Sequence, residues 1–269
     1  MADRSGGTSL ARLGLVEHWT APTLEKLGWW SGDGPVAGAE EIMWALARSP
    51  DPHLALRTVE RLAVAASTWS AIDAELRTDV GLRARLFALM EPSTALGDHL
   101  VAHPDRWTLL ADPPDRQDPP PDRARRTANL LRAVGADPDA TPAGAPGGSA
   151  AALTGSDAVT ALRTAYRDEL LGLAGADLAA VGDASLPVME VDDVAAQLAD
   201  LALAALHAAL AVAVAENEPE PDARLAVIAM GKTGGYELNY VSDGDFAFVA
   251  EPADATATRI ASRMMRVAG

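Results

Sequence analysis

Two aspartates stand two residues apart, Asp243 and Asp245, shortly after a stretch that holds Gly231, Gly234 and Gly235. Glycine carries no side chain, so backbone N–H groups in such a stretch can close around phosphate oxygens. Where such a pair enters a β-strand, whose side chains alternate between faces, both carboxylates project to one side with Cα atoms roughly 6.5 Å apart. That spacing suits Mg2+, including two ions about 3.5–4 Å apart that hold the attacking and leaving oxygens of a displacement at phosphorus. Lys232 can place a positive charge near the phosphates, Ser242 can donate to one, and Asn239 can fix the loop through its own backbone contacts. Each feature also has a plain structural reading. Short glycine motifs occur as ordinary turns, Asp-Gly-Asp as a solvated turn, and Glu237 as a loop-bracing carboxylate. The order favours chemistry: a strand, a glycine loop, then two aspartates entering a second strand.

The elements that must hold this site follow from hydrophobic periodicity. Residues 225–230 form a compact apolar run of strand length and 245–250 read as a second strand, which predicts an antiparallel pair with the glycine loop at its shared end. Residues 256–267 read as a helix. Two strands alone do not make a stable sheet, so either further strands complete it or this end packs irregularly. Upstream, two long Ala- and Leu-rich helices are predicted, from Ser156 or Asp157 to about Ala180 and from Asp192 to about Glu216. Residues 123–134 predict a short helix, and residues 22–110 a set of short packed helices. Breaks are expected at residues 49–52 and 91–93, where proline disfavours helical geometry in the residue before it.

The resulting organisation is an N-terminal helical region over residues 1–135, a Pro-, Gly- and Ala-rich flexible linker over 136–155, and helices plus the start of a catalytic domain over 156–269. Residues 112–122, crowded with Pro and Asp, read as a loop. The apolar run 201–215 is shorter than the roughly 20 residues that span a bilayer, and reads as a buried helix. The net charge of -16 comes without any basic block, which argues against nucleic acid or an anionic membrane as a partner. Cysteine is absent, so disulfides and thiolate metal sites are excluded, a composition that suits a reducing cytoplasm. His99 and His103 share a helical spacing, but no third metal ligand accompanies them.

The string from Met230 to Asp245, Met-Gly-Lys-Thr-Gly-Gly-Tyr-Glu-Leu-Asn-Tyr-Val-Ser-Asp-Gly-Asp, resembles the signature of the glutamine synthetase adenylyltransferase family. Upstream segments are similar in the same order: Ser93 with residues 96–100, His103 to Trp107, and residues 162–167 leading to Asp177-Leu178. The resemblance implies a mostly α chain with a small α+β part: an N-terminal helical region followed by the first strands of a polymerase-beta-like nucleotidyltransferase domain, truncated before its third carboxylate. It implies the N-terminal, adenylyl-removing part of a multifunctional, ATP-binding enzyme of nitrogen metabolism, which takes AMP from a tyrosine of glutamine synthetase by phosphorolysis. Carried over by residue, Gly231, Gly234, Gly235 and Ser242 sit at the phosphates of ATP or ADP, with Lys232 beside them, while Asp243 and Asp245 hold Mg2+. Implied partners are glutamine synthetase and a PII-type signal protein, in the cytoplasm; the truncated chain alone is expected to be inactive.

Three positions depart from the family pattern: Thr233 and Gly244 replace a usual leucine, and Val241 a usual glycine. A β-branched residue strongly disfavours positive φ, so weakening of the loop is expected at Val241 first. Two rival readings remain, a nucleotidyltransferase for another substrate and a helical interaction module with a vestigial catalytic edge.

Overall fold

A computed structural model describes residues 9–32, 34–90, 94–112, 122–140, 150–217, 219 and 223–269. The chain is mostly helical and packs as two compact units, Met1–Pro113 with Ala174–Val188, and Pro114–Leu173 with Met189–Gly269.

The first unit holds α1 (Thr20–Leu27), a hairpin of β1 (Trp30–Ser31) and β2 (Gly34–Pro35), α2 (Glu40–Arg48), α3 (Pro52–Ala65), α4 (Trp69–Thr78), α5 (Val80–Leu89), α6 (Thr94–Ala102) and α7 (Thr108–Ala111). The expected break after Arg48 is built by Asp51, whose carboxylate accepts from the N–H groups of His53 and Leu54 as the cap of α3. The break at 91–93 lies outside the described residues. Helix α5 is buried from Gly81 to Leu89, so its two arginines need internal partners. Arg85 donates to the carbonyls of Leu110 and Ala111 at the end of α7. Trp29, fully buried, packs on Trp69 and Phe87 and donates its indole N–H to Asp73 at 2.7 Å.

The second unit holds α8 (Arg123–Ala133), the first part of α9 (Gly155–Gly182), α10 (Val191–Asn217), β3 (Arg224–Met230), α11 (Gly231–Gly234), β4 (Asp245–Glu251) and α12 (Ala255–Ala268). Residues 113–121 of the expected loop and 141–149 of the expected linker lie outside the described residues. By length and composition α10 alone, among the described residues, could cross a membrane. Its Leu201, Ala204, Ala208 and Val212 are instead fully buried in a core shared with α8 and α12, the place of a core helix.

Strands β3 and β4 pair antiparallel from Arg224↔Glu251 to Met230↔Asp245. This is the predicted pairing with the loop at its shared end. Leu225, Val227, Phe246 and Phe248 point inward against the core of α10 and α12, while Ile228, Met230 and Asp245 lie on the exposed face. The chain entering α9, the end of α10 and α12 meet at Glu216. Its carboxylate accepts from both Nε and Nη2 of Arg263 and from the Gly155 N–H. The Arg263 hydrogen bonds, and then that N–H, hold Glu216 below the usual glutamate range. A depressed folded-state pKa contributes stability above the unfolded value of about 4.3 that is lost as pH falls through the lower folded value. Glu216→Gln is therefore expected to lower the melting midpoint modestly at pH 7, the pair being partly solvated, and to converge on the wild type under acid conditions. Parallel curves at both pH values would contradict this.

Candidate active site

Strand β3 delivers the chain to Gly231 at φ +53°, a conformation open to glycine and strained for other residues. A Cβ there would stand 2.9 Å from Oδ2 of Asp245, so the bare backbone is what lets that carboxylate lie over the start of the loop. Gly231–Gly234 then make one helical turn, closed by the Gly235 N–H donating to the Gly231 carbonyl at 3.0 Å. Gly234 has a packing task. A Cβ on it would fall 2.9 Å from the carbonyl carbon of Ala229 and closer still to its oxygen, both backbone atoms that cannot move aside. Gly234→Ala is expected to displace the turn from β3 and cost about 1–3 kcal/mol. A change in urea midpoint below experimental error would show that the turn relaxes freely.

Beyond the turn, Leu238 is buried against Leu173, Val194 and Leu198, which anchors the loop to α9 and α10. Asn239 braces the return as its short amide allows: Oδ1 accepts from the Val241 N–H at 3.1 Å and from the Ser242 hydroxyl at 2.8 Å. Lys232 donates to that same hydroxyl at 3.3 Å. Gly231, Lys232, Ser242 and Asp245 thus gather where β3 ends and β4 begins. Asp243 is exposed just ahead of β4, outside the strand whose alternation would fix its direction. Gly235 follows the turn with only ordinary contacts, and Glu237 lies against it.

The expected weak point moves. Val241 is 91% exposed, and Tyr236, at φ +59°, is the non-glycine residue with positive φ among the described residues. Val241 therefore adds no left-handed strain. Tyr236 is held by the N–H of Arg123 on α8, 3.3 Å from its hydroxyl, a contact spanning 113 positions that the local sequence did not signal. Thr233 is fully buried beside Gly244, its hydroxyl unpartnered. The ring of Phe246 takes the space a side chain at 244 would fill, 2.6 Å from its Cβ position.

Among the described residues no group of three or more His, Asp or Glu is gathered for a metal ion. The two aspartates nevertheless suit a hard cation: both are exposed carboxylates, one set against a loop whose missing side chain leaves room beside it. His99 and His103 pack as tilted rings with centroids 4.9 Å apart, His99 buried.

The model of the glutamate-ammonia ligase adenylyltransferase family matches residues 84–267. A bifunctional glutamine synthetase adenylyltransferase/adenylyl-removing enzyme from Nocardia farcinica is 50% identical over 268 residues, covering 98% of this chain and 26% of that protein. Its counterparts from Mycobacterium leprae and Corynebacterium diphtheriae are 45% and 40% identical, over 97% and 96% of this chain and 24% and 28% of their own length. The chain thus spans about a quarter of the length of these relatives. The family match takes in α8 to α12 and with them the whole glycine loop and both aspartates, and this chain belongs to the glutamate-ammonia ligase adenylyltransferase family.

Proposed function

We propose that the chain supplies the phosphate loop and the first two metal-binding carboxylates of an adenylyl-removing unit acting on glutamine synthetase. The observation that carries this is the Asp245 carboxylate lying over Gly231, which brings a carboxylate and a glycine turn to one end of a strand pair. In the reaction an oxygen of inorganic phosphate attacks the phosphorus of the tyrosyl-AMP ester. The bond from phosphorus to the tyrosyl oxygen breaks, ADP forms, and the tyrosyl oxygen takes the proton that the attacking hydrogen phosphate gives up. Asp243 and Asp245 would hold Mg2+, which when bound neutralises charge building on the transferring phosphoryl group. The loop's part is positional. Its backbone binds phosphate oxygens, Lys232 counters their charge, and Ser242, tied to Asn239, holds the lysine beside the turn.

The test measures both reactions in a polypeptide of the relatives' length that includes this chain: adenylyl removal with phosphate, and adenylyl addition with ATP. Removal that depends on Asp243 and Asp245 while addition survives their substitution supports the proposal. Addition lost and removal kept would reassign the unit to the opposite reaction. If neither reaction depended on them, the site itself would be misplaced.

A further inference from the structure

We infer that Arg123, on the first turn of α8, is the second cation of the oxyanion site and joins Lys232 in binding the phosphates of a nucleotide. This rests on the phosphate-loop reading above. The glycine loop carries a single cation of its own, Lys232, already tied to the Ser242 hydroxyl. A nucleoside diphosphate brings several negative charges, and one lysine offers a point charge without directional pairing. Arg123 brings a fork of N–H donors suited to phosphate oxygens, and its polar contact in the structure is the hydroxyl of Tyr236 at 3.3 Å. Tyr236 follows Gly235 directly and holds a left-handed backbone, so the guanidinium is docked on the residue just after the phosphate turn.

Arg123 is also available. It is exposed, and among the described residues no carboxylate lies within ion-pair distance of it, which is notable in a chain of net charge -16. Asp200 on α10 feels its charge: desolvation raises that carboxyl while Arg123 and then Arg126 oppose the rise. A neutral hydroxyl is a weak partner for a guanidinium beside a charged phosphate, so an arriving anion displaces the Tyr236 contact at small cost. Tyr236 thus parks the arginine at the loop.

Isothermal titration of the 269-residue chain with ADP, with adenosine as the uncharged control, tests this. Arg123→Gln is expected to weaken ADP binding about tenfold or more, Arg123→Lys to restore part of it, and Tyr236→Phe to leave it equal or tighter. The affinity of Arg123→Gln should also fall less steeply with added salt. Arg123 is exposed, so its variants should keep the wild-type helicity. If Arg123→Gln bound ADP as tightly as wild type while Lys232→Gln bound it more weakly, Arg123 would have no part in the site and the loop reading would stand. If wild type bound neither ADP nor pyrophosphate at millimolar concentration, or bound adenosine as well as ADP, both readings would fall.

Discussion

Asp245→Asn is expected to lower adenylyl removal about a thousandfold or more in a polypeptide of the relatives' length, with the fold intact. An amide oxygen carries no formal charge and is a far poorer ligand for Mg2+ than a carboxylate, so the substitution removes charge while keeping shape. Shape matters here because Oδ2 lies against Gly231, where even an added Cβ would stand 2.9 Å away. Asp245→Glu should therefore also fail, for a different reason: a longer side chain cannot keep its carboxylate at that spot. Asp245 lies on the exposed face of β4 and its pairing with Met230 is made by the backbone. Stability should accordingly change by no more than about 0.5 kcal/mol. The measurement is phosphate-dependent ADP release from adenylylated glutamine synthetase at saturating Mg2+, alongside a melting curve. Unchanged turnover would exclude a metal-ligand role for this residue.

Much of the frame around this site was legible because its signals are periodic and local. The apolar runs and change of period placed both strands and helices α9, α10 and α12 within a residue or two, since burial of one face demands that pattern. The hairpin at Trp30 and Pro35 left no trace, because two-residue strands are too short to alternate. The turn of α11 was equally silent: its glycines signal a loop, and a single helical turn has no repeat. Around the loop, residue types pointed to Gly231, Lys232, Ser242 and Asp245, which the structure brings together, whereas the backbone conformation did not follow from them. The left-handed residue is Tyr236, bound to an arginine far upstream, while Val241 points to solvent. Such contacts join elements distant in sequence, and nothing near Tyr236 encodes Arg123.

Burial of charge was the least legible feature, and Arg126 is its strongest case. Nothing in Arg-Ala-Arg-Arg singles out one arginine for the interior, yet Arg126 is fully buried. Its guanidinium donates to Glu169 at 3.0 Å and to Gln197 at 2.8 Å, which ties α8 to α9 and α10. Asn129 donates to the other oxygen of Glu169 at 2.7 Å. Removing one partner of such a pair leaves a desolvated charge behind, so Arg126→Met is expected to destabilise the second unit by about 3–5 kcal/mol although it retains apolar bulk. The cause is separable from lost packing by a double-mutant cycle. Glu169→Gln alone strands the guanidinium, whereas the two changes together remove both charges and should cost well below the sum of the single losses. All six tryptophans lie in residues 1–113, so their fluorescence follows the first unit, and helicity in urea with amide exchange in α8 and α10 is the appropriate readout. Because the same helix presents Arg123 to the glycine loop, loss of Arg126 should also weaken ADP binding under conditions where the chain remains helical. A loss near 1 kcal/mol, or single costs that simply add, would mean that Arg126 packs as a long apolar stem and that its ion pair contributes little.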